Sequence, residues 1–237
     1  MRNLVLFMLV VACTTDLPTE SGPPSPDGST VDTQDAPSTS QNQEESSSPI
    51  ATVRPLTPDE RARMTGGVWK EDCPVPLDDL RAIQIVHHTL GGGLAQGTLV
   101  VHEDVSEDIA QVFTELHAAQ FPITQIQPIE MFDGDDGRSM SADNTSAFNC
   151  RRIAGTQTWS EHASGRAIDL NPLRNPWVRG DRVEPPEGAD YVERDPDVPG
   201  LIVDGDAVVT AFARVGWKWG GHWTSLKDYQ HFSLSGR

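Results

Sequence analysis

Between Cys13 and Val53 the chain has no lysine, no arginine and no aromatic residue. The same stretch carries seven acidic side chains (Asp16, Glu20, Asp27, Asp32, Asp35, Glu44 and Glu45) and few large aliphatic ones. So little apolar surface cannot offset the entropy lost on ordering. Residues 14–56 are therefore expected to form a disordered, acidic, Ser/Thr/Pro-rich linker. As a flexible tether it would span roughly 35 Å on a root-mean-square basis. Positive charge is scarce throughout: 18 Lys and Arg stand against 35 Asp and Glu, for a net charge of −17. That balance excludes a general electrostatic grip on nucleic acid or on anionic lipid. The apolar run Leu4–Ala12 is too short for a membrane-spanning helix. Gly91-Gly92-Gly93 lacks the GK[ST] that a phosphate loop needs. There is no internal repeat. Only three cysteines occur, none in a CxxC pair, so a cysteine-based metal site is not expected.

What is present at the N-terminus has the three-part form of a secretory signal: Arg2, the apolar run, then small residues. Residues 1–12 read as a signal peptide, and Val10-Val11-Ala12-Cys13 resembles a bacterial lipobox. Cys13 is then the lipidated residue. The protein is expected outside the cytoplasm, anchored to the cell envelope, or secreted if the lipobox is not used. Two acyl chains bury enough methylenes for stable anchoring. An exported chain meets an oxidising compartment, so the remaining pair, Cys73 and Cys150, is expected to be bridged.

From residue 57 the composition becomes globular, and 57–237 reads as one domain. Thr57-Pro58-Asp59-Glu60 has the form of a helix start. Ala82–His88 and Thr98–His102 read as strands around the triple glycine. Ser106–Gln120 reads as a helix with Ile109, Val112, Phe113, Leu116 and Ala119 on one face. Further strands are expected at Ile123–Met131, Ala147–Ile153, Arg166–Leu170 and Phe232–Leu234. A second helix is expected at Ala207–Val215, stopped by Gly216. Strands outnumber helices without regular alternation, which gives an α+β domain with a mainly antiparallel sheet flanked by helices.

Two segments carry the chemistry. The first runs from Ser160 through His162 and Gly165 to Asp169; the second holds Trp217, Trp219-Gly-Gly-His222-Trp223 and Asp228-Tyr-Gln-His231. Histidine and carboxylate are zinc donors. Gly165 lets the backbone turn so that His162 and Asp169 can converge. An aspartate inside Ala-Ile-Asp-Leu is costly to bury without a partner. His-x6-Asp alone also fits an ordinary turn and a solvated strand end. His231 supplies a third donor, and three protein ligands with one open position is the catalytic form of a zinc site. Asp228 is placed to act as general base and then acid. The tryptophans read as core or cleft walls. His87 and His88 point to opposite faces of a strand, and with His102 and His117 they are not expected in the site.

These residues resemble the M15 metallopeptidases, which include D-alanyl-D-alanine carboxypeptidases and L-alanyl-D-glutamate endopeptidases of peptidoglycan. The family pattern is Ser-x-His-x-x-Gly-x-Ala-x-Asp followed by acid-x-x-His. Ser160, His162, Gly165, Ala167, Asp169, Asp228 and His231 match it. Asn144-Thr-Ser-Ala-Phe-Asn-Cys-Arg151 and Trp219-Gly-Gly-x-Trp223 are similar to one branch. The resemblance implies a hedgehog/DD-peptidase-like fold and one zinc ion on His162, Asp169 and His231. It implies Asp228 as acid/base and Arg151 as the residue that holds substrate or stabilises the oxyanion. Arg152 reads as a surface residue. Ser160, Trp223 and His222 are candidate substrate contacts. The implied activity is hydrolysis of peptidoglycan stem peptides, with D-Ala-D-Ala carboxypeptidase ahead of L-Ala-D-Glu endopeptidase. A non-catalytic zinc-containing module that binds cell-wall peptides is the alternative; Asp228 and Arg151 argue against it, because a binder needs no general base. No protein partner and no nucleic acid are expected.

Overall fold

The computed structural model describes residues 48–237. The expected signal peptide, Cys13 and most of the expected linker lie outside the described residues. The linker's last residues do not. Ala51–Pro55 forms strand β1, antiparallel to β2 (Leu80–His88), with Val53 opposite Ile83 and Ala51 opposite Ile85. The folded part thus starts before residue 57. These five residues become a strand because the edge of β2 offers them a partner.

Helix α1 (Pro58–Met64) starts as expected, on a capping box between Thr57 and Glu60. Arg54 from β1 clamps the same Glu60 with two bonds of 2.7 Å. Strand β2 then pairs along its whole length with β3 (Leu94–His102). β3 begins four residues earlier than expected because Gly97 does not break it. A Cβ at Gly97 would lie 2.4 Å from the Ile126 carbonyl oxygen, so the glycine permits close passage of the chain. Helix α2 (Ser106–Ala118) buries Ile109, Val112, Phe113 and Leu116 as expected. Ala119 caps its end and is exposed, and Ala110 takes the buried place instead.

The next expected strand is mostly absent. Within Ile123–Met131 only β4 (Gln125–Ile126) is extended in a ladder, and Pro128 opens a 3-10 turn at Ile129–Phe132. Helix α3 (Asp136–Ser141) follows, capped by Asp135, and then β5 (Asn144–Thr145) pairs in parallel with β4. Ala147–Ile153 is not a strand either. Its backbone donors go to unrelated partners: Phe148 to Val100, Asn149 to His162, Arg151 to Asn149 and Ile153 to Thr158. The segment therefore ties β3 to the turn that carries His162.

The C-terminal part contains β6 (Ala167–Asp169), β7 (Trp177–Arg179), β8 (Arg182–Glu184), helix α4 (Ala207–Arg214), β9 (Lys218–Trp219), β10 (Lys227–Asp228) and β11 (His231–Ser233). Two small antiparallel sheets result, ordered β6-β11-β9 and β10-β7-β8. Helix α4 ends where expected, before Gly216 at φ +83°. The main core lies between the β1-β2-β3 sheet, α2, α4 and the β6-β11-β9 sheet, around Phe113, Ile168, Phe212 and Phe232. A second core holds Met64, Leu80, Phe148 and Cys150. The domain is α+β with mainly antiparallel sheets, as expected.

Cys73 and Cys150 form the expected disulfide, closing 77 residues of chain. Loop-closure entropy for that span gives about 4.5 kcal/mol of stabilisation. The bridge sits one residue before Arg151 and so fixes the chain there.

Candidate metal centre

His162 is presented by a single 3-10 turn, Glu161–Ser164. Ser160 opens that turn, its hydroxyl accepting from the His162 N–H at 3.4 Å. The hydroxyl named as a candidate substrate contact thus accepts from the backbone of His162. Gly165 closes the turn at φ +70°. A Cβ there would stand 2.7 Å from the His102 nitrogen, which itself donates to the Gly165 carbonyl. Glycine is required on both counts. The chain then enters β6, which delivers Asp169 into the core. Antiparallel pairing of β6 with β11 sets His231 directly opposite Asp169.

The three side chains converge. His162 Nε2 lies 3.2 Å from Asp169 Oδ2 and 3.3 Å from His231 Nδ1, and His231 Nδ1 lies 3.1 Å from Asp169 Oδ1. All three residues are buried, and they are the one such cluster of metal-ligating groups found among the described residues. The far nitrogens are also accounted for. His162 Nδ1 lies 2.7 Å from the Ala147 carbonyl oxygen, and His231 Nε2 lies 3.0 Å from the backbone oxygen of Arg237. Both oxygens can only accept, so each ring donates outward there and turns its other nitrogen to the cluster. Metal-ligating histidines are oriented in this way.

Four ligands at 2.0–2.1 Å from a tetrahedral ion are spaced at about 3.3 Å. The observed separations of 3.1–3.3 Å fit one such ion. The charges fit as well. Burial works to raise the Asp169 pKa, but His162 and His231 outweigh it and hold the carboxyl well below its usual range. Burial works to lower the His231 pKa, but the hydrogen bond and charge of Asp169 push it up to about 9. The pocket holds an anion that demands positive charge.

Asp228 ends β10, beside this cluster. Its Oδ1 is buried with no hydrogen-bond partner among the described residues. Burial, opposed by the His231 charge and reinforced by that of Asp169, pushes its pKa up to about 7. The Trp-Gly-Gly sequence makes room for it. A Cβ at Gly220 would lie 2.6 Å from the Asp228 carbonyl oxygen, and one at Gly221 would lie 2.4 Å from the Trp219 indole. Trp217 and Trp219 are core residues, as expected of walls. Trp223 is half-buried, and its ring lies 5.5 Å from that of His231. With His222, Thr224, Ser225, Gly236 and Arg237 it lines an open cavity of about 510 Å³. His222 is exposed and bonds Asp204 at 2.7 Å.

Arg151 is half-buried and forms an ion pair of 2.6 Å with Asp136. Arg152 turns away, stacking 3.6 Å over the Trp159 ring. His88 and His117 stack on each other at 4.6 Å and, with His87, stand outside the metal-ligating cluster. Sequence reasoning did not place Asp136 against Arg151, nor the Ala147 and Arg237 backbone oxygens against the His162 and His231 rings. Asp135-Asp136-Gly137 reads as a plain helix start, and main-chain partners leave no residue signal.

Residues 154–234 match a family model described as D-alanyl-D-alanine carboxypeptidase. The matched segment contains His162, Asp169, Asp228 and His231 and begins three residues after Arg151. No curated protein and no solved structure gives a significant match.

Proposed function

We infer that this chain is a peptidase of the M15 type, a zinc-dependent hydrolase of peptidoglycan stem peptides acting as a D-Ala-D-Ala carboxypeptidase. The observation that carries the reading is the triangle of His162, Asp169 and His231, at ion-binding separations and beside an unpartnered carboxylate. His162 Nε2, Asp169 and His231 Nδ1 would hold the ion. When bound, zinc supplies Lewis acidity, which makes a hydroxide-like nucleophile accessible near neutral pH.

The chain's own residues do the rest. Asp228 Oδ1 has no competing donor, so it is free to take a proton from the attacking water. The same oxygen returns that proton to the departing amine nitrogen. Arg151 offers a fixed cation to a substrate oxygen, either the polarised carbonyl or a terminal carboxylate. Trp223 forms an apolar wall next to His231. Lipidation of Cys13 would hold the enzyme at the envelope; membrane fractions of the Cys13→Ser protein should lose it, and unchanged association would refute the anchor.

Mass spectrometry of purified muropeptides tests the reading. Loss of one terminal alanine is the expected product. A cut after the first L-alanine would identify the endopeptidase instead. Intact peptide with zinc bound would favour a binding module.

A further inference from the structure

Arg151 is reached by a chain of contacts that starts at the metal ligands. The Asn149 N–H donates to the His162 carbonyl at 3.1 Å. The Asn149 side chain, itself buried, donates through Nδ2 to Asp136 Oδ1 at 3.3 Å. Asp136 Oδ2 then meets Arg151 Nη2 at 2.6 Å. Asp136 is the one charged partner of this guanidinium among the described residues. Arg151 Nε is buried and has no hydrogen-bond partner among them, so no second polar contact fixes the group. Asp136 is not remote from the chemistry: its charge is felt at Asp228. It also lines an open groove of about 520 Å³ between α3 and the β7-β8 hairpin.

We propose that Asp136 is the positioning residue of this site: it pins the Arg151 guanidinium, in register with His162 through Asn149, so that its remaining donors face a substrate oxygen. This rests on the reading of Arg151 as the substrate-holding cation. A flexible arginine samples many rotamers, and each off-target one removes the cation from the reacting oxygen. One charge-assisted contact at a fixed place restricts that freedom. Asp136 does not touch substrate and carries no proton in the reaction.

The test is a double-mutant cycle on the zinc-loaded protein with a D-Ala-D-Ala pentapeptide. Asp136→Asn keeps the side-chain volume and an acceptor for Asn149 while removing the charge. It should lower kcat/KM about 10- to 100-fold, with zinc content and Tm near wild type. In an Arg151→Ala background the same change should cost less than about threefold. Asp136→Glu should recover part of the loss. Equal losses in both backgrounds would overturn the proposal, because they would show an action independent of Arg151. Side-chain ¹⁵N NMR without substrate supplies a readout that does not depend on hydrolysis. The Arg151 Nε–H should give a distinct, slowly exchanging signal in the wild type that joins the exposed arginines in Asp136→Asn. An unchanged signal would overturn the positioning role even if the peptide proves not to be the substrate. Conversely, a lost signal in a protein that leaves the peptide intact would keep the positioning role and remove only the hydrolysis reading.

Discussion

Replacing Asp228 by alanine should lower kcat by about 10³-fold or more while leaving one zinc ion per chain. General acid–base transfer contributes typically about 10²- to 10⁴-fold. In the proposed mechanism the carboxylate serves both proton transfers, so the upper part of that range is expected. Retention of metal follows from geometry. Asp228 makes no side-chain hydrogen bond to His162, Asp169 or His231, and its Oδ1 is unpartnered. The fold should not suffer. A buried carboxyl oxygen without a donor costs stability, so its removal should leave Tm of the metal-free protein unchanged or higher. Zinc analysis, Tm and peptide turnover on one preparation check all three parts. Full turnover by Asp228→Ala would remove it from the mechanism.

His162→Ala should lose both metal and activity. It removes one of three donors and also the 2.7 Å contact with the Ala147 carbonyl that fixes the ring. Metal analysis should find well below one equivalent at micromolar zinc, and one full equivalent would refute the ligand set. Titration behaviour adds a second check. In the metal-free wild type, His231 has its pKa raised from 6.5 to about 9. A raised pKa stabilises the fold fully below 6.5, and that contribution fades as pH climbs through 9. Asp169 works in the other direction. Its lowered pKa contributes stability above the ordinary aspartate value of 3.8, and that contribution is lost on acidification. Metal-free protein should therefore lose Tm from pH 6.5 to 9, whereas zinc, which binds neutral imidazole, should flatten that slope.

Much of this site was legible in the sequence. His162, Asp169, Asp228 and His231 stand at spacings that two short segments and one glycine turn explain. The α2 and α4 helices were legible because their apolar faces repeat at helical spacing. The β2-β3 hairpin was legible in its interior but not at Gly97, which reads as a breaker and serves as a passage for Ile126. β1 was hidden because Ala51–Pro55 is short and adjoins the Ser-rich stretch before it, and only the edge of β2 makes it a strand. Ala147–Ile153 reads as a strand, with Ala147, Phe148, Cys150 and Ile153 as its apolar residues. Its backbone bonds, however, go to four separate places. Asp136 was invisible for a different reason. Its partner is 15 residues away, and its neighbours describe a helix start equally well. Positions that touch through turns without periodicity leave no pattern to read.

One ion on His162, Asp169 and His231 is proposed to make the chain a hydrolase. Stripping the protein with chelator and titrating zinc back, while following cleavage of a D-Ala-D-Ala peptide, tests it most directly. Activity should be absent at the start, rise linearly and reach its plateau at one equivalent. Undiminished cleavage by the stripped protein, or a fully loaded protein that cleaves nothing, would contradict it.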